Sequence, residues 1–272
     1  MKIIHLTDTH LTTQDQDLFG LRPVERLRLC LSSIKQEHRD ADLVVITGDL
    51  TDHGTEEEYR LLRETLAVLD IPVRLLLGNH DERSAFRAIF PEHLVDAAGF
   101  VQSGLEIDQT LLVFLDSKDG KGSGRLCSAR YQAVADMLSA STAREIVVFI
   151  HHPVLSVGVR HFHGMELDNA EELVTLFCND GRVRHILCGH VHLPVTVAER
   201  GLVQTSGRGV AHHVVLDLAA RDARFSAFEP SYNVLLVSNG RLTVHTMDFL
   251  DNAPVLSRSR GRALPGETDE AA

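Results

Sequence analysis

Apolar residues form short continuous runs along the first eighty positions, and each run ends at polar or charged residues. The runs are residues 2–6, 43–47 and 73–77. Runs of this length without alternation are typical of strands buried on both faces in a parallel sheet. Helical spacing separates them: Pro23 is well placed to begin a first helix, and Thr55 with Glu58 predicts a capping box that begins a second. This β-α-β-α-β alternation predicts an α/β fold with right-handed crossovers.

The pattern becomes less regular in the middle of the chain. The predicted elements are, in order, strands at 100–107 and 111–115, a glycine-rich loop at 116–125, a helix at 128–138, and strands at 146–150 and 184–187. Residues 154–169 carry His161, His163 and Met165 without clear periodicity. A loop of about 15 residues is more often functional than accidental, so this segment is a candidate cover for a site.

Short apolar segments follow Pro194 and predict the strands of an antiparallel sheet that completes a sandwich. They are residues 195–198, 202–205, 214–218, 234–237 and 242–249. Residues 252–272 are rich in Pro, Gly, Arg and Glu, which predicts a disordered tail after a domain spanning residues 1–251.

Composition narrows the class of protein. At 272 residues, 44% hydrophobic and with apolar runs far shorter than the ~20 residues of a membrane helix, the chain is typical of a globular enzyme. No signal-peptide pattern is visible, so a cytoplasmic location is expected. The net charge of −11 argues against a nucleic-acid polymer as partner. The four scattered cysteines predict buried reduced thiols, and a Cys178–Cys188 disulfide or a soft-metal site is the alternative.

The ends of the predicted strands carry the residue types that bind metals. These residues are Asp8, His10, Asp49, Asn79, His151, His190 and His192. Strand ends deliver side chains to one edge of a sheet, where open α/β folds keep their sites. Two dications about 3.5–4 Å apart need a bridging carboxylate, and neutral imidazoles and an amide fill other positions without excess charge. Asp8 and His10, and likewise His190 and His192, are two residues apart and share a face of an extended segment.

The motifs Asp-x-His, Gly-Asp, Gly-Asn-His-Asp, His and Gly-His-x-His occur in this order over about residues 1–213. This series resembles the calcineurin-like metallophosphoesterases, and within them the class III cyclic nucleotide phosphodiesterases and the bacterial glycerophosphodiesterases. The resemblance implies a four-layer α/β/β/α sandwich, which agrees with the alternation described above.

The same resemblance implies two metal sites. The first would be formed by Asp8, His10, Asp49 and His192. The second would be formed by Asp49, Asn79, His151 and His190, so that Asp49 bridges the two ions. Mixed nitrogen and oxygen ligands suit Fe, Mn, Zn or Co.

The resemblance also implies hydrolysis by attack of a metal-bound hydroxide on phosphorus. His80 would contact a phosphoryl oxygen or protonate the leaving oxygen, and Asn79 and His212 would join it in binding substrate. Two roles stay open for Asp52: a catalytic one, in which it pairs with His80 and raises its basicity, and a structural one as a helix cap near Thr55. Asp81 is interpreted as structural.

Other histidines receive structural interpretations. His5 is expected in the core beneath the site, and Pro153 fixes the backbone of His152 next to the ligand position. His161 and His163 are interpreted as solvent-facing loop residues, with substrate contact as the alternative.

The expected substrate is a small phosphodiester, first a 3′,5′- or 2′,3′-cyclic nucleotide and alternatively a glycerophosphodiester. The negative charge argues against a nuclease. His80 argues against a pyrophosphatase of lipid A synthesis, and the complete ligand set argues against a non-catalytic scaffold. No membrane partner is expected, and the resemblance leaves open a homodimer or higher homo-oligomer.

Overall fold

Two β-sheets lie face to face at the centre of the computed structural model, which describes residues 1–120, 122–238 and 240–250. The strands are β1 (Lys2–Leu6), β2 (Leu43–Thr47), β3 (Val73–Leu76), β4 (Ser103–Ile107), β5 (Thr110–Phe114), β6 (Glu145–Phe149), β7 (Val183–Cys188), β8 (Val195–Glu199), β9 (Leu202–Ser206), β10 (His213–Val214), β11 (Phe225–Ser226), β12 (Ser231–Ser238) and β13 (Arg241–Asp248). The helices are α1 (Pro23–Glu37), α2 (Glu56–Leu66), α3 (Arg83–Ile89), α4 (Ser128–Ala140) and α5 (Ala170–Asp180).

The first sheet has the order β13-β12-β1-β2-β3, with β1, β2 and β3 parallel as predicted. The second has the order β4-β5-β6-β7-β9-β8, in which β5, β6, β7 and β9 are parallel. Strands β10 and β11 form a separate two-stranded ladder. The carboxyl ends of parallel strands from both sheets therefore meet at one side of the molecule, where sites of α/β folds lie.

The prediction of one C-terminal antiparallel sheet is wrong. Strands β8 and β9 extend the second sheet, whereas β12 and β13 extend the first, where β12 pairs antiparallel with β1. From the predicted segment 214–218, only Val214 lies in a strand. The late strands pair with the open edges of both sheets, because an unpaired edge leaves backbone hydrogen-bonding groups unused.

Side chains on successive strand residues enter different layers of the core. In β2, Val44 and Ile46 pack against α1 and α2, while Leu43 and Val45 face the second sheet. Phe149 of β6 lies in the same inter-sheet layer. Residues on the outer face of the second sheet pack against α4 and α5. Because both faces of each sheet are covered, the strands read as continuous apolar runs, and the four-layer α/β/β/α sandwich is confirmed.

Helix α2 begins at the predicted capping box. The Thr55 hydroxyl accepts a hydrogen bond from Glu58 N at 3.3 Å, and the Glu58 carboxylate accepts one from Thr55 N at 3.1 Å. Two further helices, α3 and α5, lie outside the sequence prediction. Within the described residues neither has a side-chain hydrogen bond at its N-cap. Of the two, α5 does carry sequence signals for its ends, with Asn169 at the N-cap, Glu172 three residues later and Gly181 after its last residue.

All four cysteines are free thiols, which contradicts the alternative of a Cys178–Cys188 disulfide. Cys30 and Cys188 are buried, whereas Cys178 is exposed and Cys127 is half-buried. The prediction of buried thiols is therefore correct for two of the four. The potential metal-binding groups found in the described part of the chain contain no cysteine. No helix among those residues is long and apolar enough to cross a membrane. The predicted tail at 252–272 lies outside the described residues.

Candidate metal centre

Loops after β1, β2, β3, β6 and β7 converge at the carboxyl edges of the two sheets. Their backbones are joined directly: His10 N donates to Asp49 O at 2.8 Å, and Gly189 N donates to His151 O at 3.0 Å. Ala211 N also donates to Asp8 O at 3.1 Å, which brings the segment before β10 to the same place. These hydrogen bonds join loops from both sheets and bring all seven predicted metal ligands together.

Five of the candidate ligands have left-handed backbone conformations. The φ angles are 54° for Asp8, 37° for His10, 45° for Asp49, 71° for His190 and 51° for His192. Asp8 and His10 therefore do not share the face of an extended segment, as the sequence analysis expected, and neither do His190 and His192. Each pair instead leaves the extended conformation after its strand ends. Aspartate and histidine tolerate this region better than most residues, and such conformations concentrate at functional sites.

The glycines in the motifs allow the ligand loops to approach closely. A Cβ atom at Gly78 would collide with the Asp49 carboxylate and the His151 ring, and one at Gly189 would collide with Thr7 Oγ1. The Gly-Asn-His-Asp and Gly-His-x-His motifs therefore require glycine, because a side chain at Gly78 would displace candidate ligands and one at Gly189 would displace Thr7, whose hydroxyl donates to Asp8 Oδ2.

The first candidate set contains Asp8, His10, Asp49 and His192, whose ligand atoms all lie within 4.8 Å of one another. His10 Nε2 lies 3.2 Å from His192 Nε2, and His192 Nε2 lies 3.3 Å from Asp8 Oδ1. Asp49 Oδ2 is 3.5 Å from His10 Nε2. These side chains are almost completely buried, so their polar atoms face one another rather than solvent.

The second candidate set begins at the same carboxylate oxygen. Asp49 Oδ2 lies 3.4 Å from His151 Nε2, which in turn lies 3.2 Å from Asn79 Oδ1. Within the described residues, the buried Nε2 of His190 has no hydrogen-bond partner. Asp49 Oδ2 thus faces both sets, while Asp49 Oδ1 accepts a hydrogen bond from His80 N at 2.9 Å.

Hydrogen bonds on the far side of three imidazoles fix which nitrogen faces the centre. The Nδ1 atoms of His10, His151 and His192 contact Asp52 Oδ1 at 2.9 Å, Thr47 O at 2.7 Å and His212 O at 3.0 Å. Because a carbonyl or carboxylate oxygen can only accept, each Nδ1 carries a proton, and each Nε2 faces the centre, where it presents a lone pair when the ring is neutral. This is the arrangement that metal-ligating histidines adopt.

The donor set fits metal cations. With Nδ1 protonated on both rings, the Nε2 lone pairs of His10 and His192 would face each other at 3.2 Å, which is repulsive unless a positive charge lies between them. Burial lowers the pKa of His190 to about 3, so this imidazole is neutral and free to ligate. Burial disfavours charge on His151 too, but the Asp49 carboxylate outweighs it and raises the His151 pKa to about 9. A proton and a metal ion therefore compete for His151 Nε2.

Asp52 contacts two histidines of the site. Its Oδ1 atom accepts from His10 Nδ1 at 2.9 Å and lies 3.5 Å from His80 Nδ1, which donates to the Asp52 carbonyl oxygen at 2.9 Å. Burial opposes ionisation of Asp52, but the hydrogen bond from His10 outweighs it and lowers the Asp52 pKa. The helix-capping alternative for Asp52 is wrong, since Thr55 occupies the N-cap of α2.

We expect Asp52→Ala to weaken metal binding by about 10–100-fold, because His10 loses the partner that fixes its tautomer and orientation. Asp52→Asn retains an acceptor oxygen for His10 Nδ1 and should lose less metal affinity than Asp52→Ala. Titration of the metal-free protein with Zn²⁺ or Mn²⁺ measures both dissociation constants. Equal affinities for wild type and Asp52→Ala would show that the contact with His10 does not support metal binding.

Asp81 joins the loops that carry Asp49 and Asn79. Its carboxylate accepts hydrogen bonds from Leu50 N, Thr51 N, Thr51 Oγ1, Gly78 N and Tyr59 OH at 2.9–3.3 Å. Burial and the nearby Asp49 charge raise the pKa of Asp81 to about 6. Its carboxylate oxygens are thus occupied by donors of the loops themselves, which agrees with the structural interpretation.

Asp81→Ala should lower the free energy of unfolding by about 3–5 kcal/mol, because it leaves several buried donors without an acceptor. Tyr59→Phe removes only one of these donors and is the matched control, with an expected loss of about 1 kcal/mol. Urea unfolding of the metal-free proteins compares the two. A loss in Asp81→Ala no greater than in Tyr59→Phe would contradict the structural role.

A cavity of about 250 Å³ opens above the candidate ligands, and His80 and His212 lie in its wall. The His80 side chain is 40% exposed, and its Nδ1 is held by Asp52 O, so Nε2 is the nitrogen available to a bound molecule. The ring of His212 stacks on that of His192 with centroids 4.2 Å apart. Burial and neighbouring imidazoles lower the pKa of His212, which keeps it neutral.

Several cavity residues lie outside the sequence prediction. Phe19, Phe162 and Phe225 line the cavity beside Met165. Phe225 belongs to a ladder formed late in the chain, and Phe19 precedes α1, so neither adjoins a metal-binding motif. An aromatic residue next to glycine in a polar loop, as at Phe19, was the available signal.

The remaining histidines differ in burial and in their contacts. His5 is buried with Nε2 2.9 Å from Thr47 Oγ1, and His152 contacts Ser117 Oγ and Gly122 O, so both structural interpretations agree with the contacts. His163 is exposed. His161 is half-buried and lines the site cavity while its Nδ1 donates to Arg221 O at 3.0 Å, an arrangement that favours the alternative of substrate contact for this residue.

Comparison with known proteins agrees with this geometry. The calcineurin-like phosphoesterase family model matches residues 1–194. A Rhodopseudomonas palustris protein named "probable cyclic nucleotide phosphodiesterase" is 34% identical, over 97% of this chain and 98% of its own length. An Arcobacter nitrofigilis protein named "probable glycerophosphodiester phosphodiesterase" is 29% identical, over 82% of this chain and 83% of its own.

A solved structure supports the fold. The crystal structure of a dimetal phosphatase from Danio rerio is similar with a TM-score of 0.67 and 14% identity, covering 92% of this chain and 99% of the other. At that identity the likeness concerns the fold alone. The family match and the relatives confirm the predicted family. The chain belongs to the calcineurin-like phosphoesterases, as a metal-dependent hydrolase of phosphoric esters.

Proposed function

We propose that this protein hydrolyses small phosphodiesters at a binuclear metal centre, and that cyclic nucleotides are its substrates. The observation that carries the proposal is the position of Asp49 Oδ2, which lies 3.5 Å from His10 Nε2 and 3.4 Å from His151 Nε2. One carboxylate oxygen therefore faces the donor atoms of both sets at once. That arrangement suits a bridge between two cations.

The residues proposed to hold the metals follow from the two sets. Asp8, His10, Asp49 and His192 would hold one ion, and Asp49, Asn79, His151 and His190 the other. Imidazole, carboxylate and amide donors suit Fe, Mn, Zn or Co. When bound, the two ions supply Lewis-acid stabilisation of charge on the phosphoryl oxygens and activation of water.

His80 is proposed as the residue that acts on the leaving oxygen. Its Nδ1 donates to Asp52 O and lies 3.5 Å from the Asp52 carboxylate. In the protonated ring Nε2 is a donor that faces the cavity, where it can donate to a phosphoryl oxygen or protonate the departing alkoxide. The main-chain contact of His80 N with Asp49 Oδ1 keeps the ring next to the metal sites.

Asn79 and His212 are proposed to bind the substrate beside His80. The three residues lie in the wall of one cavity, with Asn79 on the side of His151 and His212 stacked against His192. His212 is neutral and offers a hydrogen bond without adding charge to a site that binds cations. The Asn79 amide can contact an ion through oxygen and a phosphoryl oxygen through nitrogen.

The size of the cavity supports a small substrate. A volume of about 250 Å³ lies near the lower end for small-molecule pockets, and the net charge of −11 disfavours a nucleic-acid polymer. The relative that matches over nearly the whole chain is named for cyclic nucleotides. The second relative is named for glycerophosphodiesters, and these diesters are the alternative substrates.

Parallel assays test the proposal. Purified protein reconstituted with Mn²⁺, Zn²⁺ or Fe²⁺ is given 3′,5′-cyclic AMP, 2′,3′-cyclic AMP and glycerophosphoethanolamine, and kcat/KM is compared. AMP serves as the monoester control, and a single-stranded oligonucleotide as the polymer control. The proposal expects the highest value for a cyclic nucleotide. Preference for AMP or for the oligonucleotide would overturn it, and preference for glycerophosphoethanolamine would establish the alternative.

A further inference from the structure

Two exposed phenylalanines form a stacked pair at the cavity of the metal centre. The rings of Phe19 and Phe225 have centroids 4.5 Å apart and an interplanar angle of 15°. Phe19 is 59% exposed and Phe225 45% exposed, although both line the cavity that contains His80 and His212. Large aromatic side chains that stay in water beside a site offer apolar surface to a ligand.

Phe19 occupies a position that disfavours phenylalanine. Leu18 and Leu21 exchange backbone hydrogen bonds at 2.9 Å in both directions, so Phe19 and Gly20 form a two-residue turn. Their φ angles are 53° and 76°, as in a type I′ turn, where asparagine, aspartate and glycine are favoured. An exposed ring on a strained backbone contributes little to folding, so its presence calls for a functional reason.

The pair is connected to the catalytic residues through His212. Its ring centroid lies 5.1 Å from that of Phe19, 5.1 Å from that of Phe225 and 5.1 Å from that of His10. Phe225 is held in β11 opposite Val214 of β10, which begins directly after His212. The pair therefore lies one side chain away from the candidate metal ligands, with Phe225 fixed by that ladder and Phe19 by the turn between Leu18 and Leu21.

We propose that Phe19 and Phe225 bind the planar base of a cyclic nucleotide while its phosphate lies at the metal centre. The inference rests on the proposed function and deepens it by naming the part of the substrate that the apolar wall recognises. A base presents a π face to an aromatic ring, and stacking of this kind tolerates different bases. Glycerophosphodiesters lack a planar group, so the pair would favour nucleotides over them.

The test compares two substrates that differ only in the base. One is 3′,5′-cyclic AMP, and the other is the abasic 3′,5′-cyclic phosphate of methyl ribofuranoside. The variants are Phe19→Asn, which removes the ring and suits the left-handed turn, and Phe225→Ala. The control is Phe228→Ala, because Phe228 is 65% exposed and lies outside the lining of the site cavity.

For each Phe19 and Phe225 variant, we expect kcat/KM for cyclic AMP to fall about 5- to 100-fold, mainly through KM. The abasic substrate should change by less than about twofold, as should both substrates with Phe228→Ala. Metal content and Tm are measured alongside to show that the centre and the fold persist.

Unchanged turnover of cyclic AMP in both variants would overturn the inference, as would equal losses on the two substrates. Failure of the proposed function gives a different result, because the wild-type protein would then hydrolyse neither cyclic phosphate.

Discussion

Asp49→Ala should abolish hydrolysis, with a loss of more than about 10³-fold in kcat, and should also lower the metal content at both sites. Asp49 Oδ2 is the atom that faces both His10 Nε2 and His151 Nε2. Its removal leaves the charges of two cations without the carboxylate between them. The measurement pairs elemental analysis with turnover of a phosphodiester after reconstitution.

The backbone at Asp49 requires a matched control. Asp49 has a φ of 45°, and alanine in a left-handed conformation costs about 1–2 kcal/mol whatever its function. Asp108, with a φ of 55°, is exposed in the turn between β4 and β5, far from the candidate ligands in the sequence. Asp108→Ala should therefore keep both metals and full activity. Two metals per chain in Asp49→Ala would contradict the bridging role.

His80→Ala should retain both metals and lose about 10²–10⁴ in kcat. The ring is 40% exposed in the cavity wall, and its Nδ1 donates to Asp52 O. Nε2 is therefore the nitrogen available to a ligand. Its removal takes away a proton donor for the leaving oxygen. The loss in kcat should be smaller for substrates whose leaving group needs no proton, such as p-nitrophenyl diesters, than for alkyl diesters.

His163→Ala is the control for His80→Ala, because His163 is an exposed histidine that does not line the site cavity. It should leave kcat and metal content unchanged. A His80→Ala enzyme with full kcat on an alkyl diester would show that another group protonates the leaving oxygen. A loss of metal in the same variant would instead make His80 a support of the centre.

Much of the scaffold was readable because both faces of its parallel strands are buried. The runs at 43–47 and 146–150 are almost entirely apolar without alternation, and each corresponds to a strand within one residue at either end. Helix α2 could be predicted because Thr55 and Glu58 have the spacing of a capping box, and the structure contains both of its hydrogen bonds. Helix α3 carries no such signal, whereas the spacing of Asn169 and Glu172 marks the start of α5. The sheet chosen by each late strand depends on which edge is open in three dimensions.

The site was readable because its residues follow strands directly. Their backbone conformation was not, since the left-handed φ of His10 or His192 depends on the neighbouring loops that hold it. The role of Asp52 depended on which ring lies within reach, and the structure places His10 Nδ1 at 2.9 Å. Phe19 and Phe225 are far apart in the chain, and their contact depends on the turn that holds Phe19 and the β10–β11 ladder that holds Phe225.

The central claim is that two cations share Asp49 between sets of buried donors. Elemental analysis of the wild-type protein, reconstituted with Mn²⁺ or Zn²⁺ and freed of excess metal, tests it most directly. The account predicts two ions per chain, and hydrolysis that a chelator abolishes and added metal restores. Metal content near zero, with hydrolysis indifferent to the chelator, would contradict it.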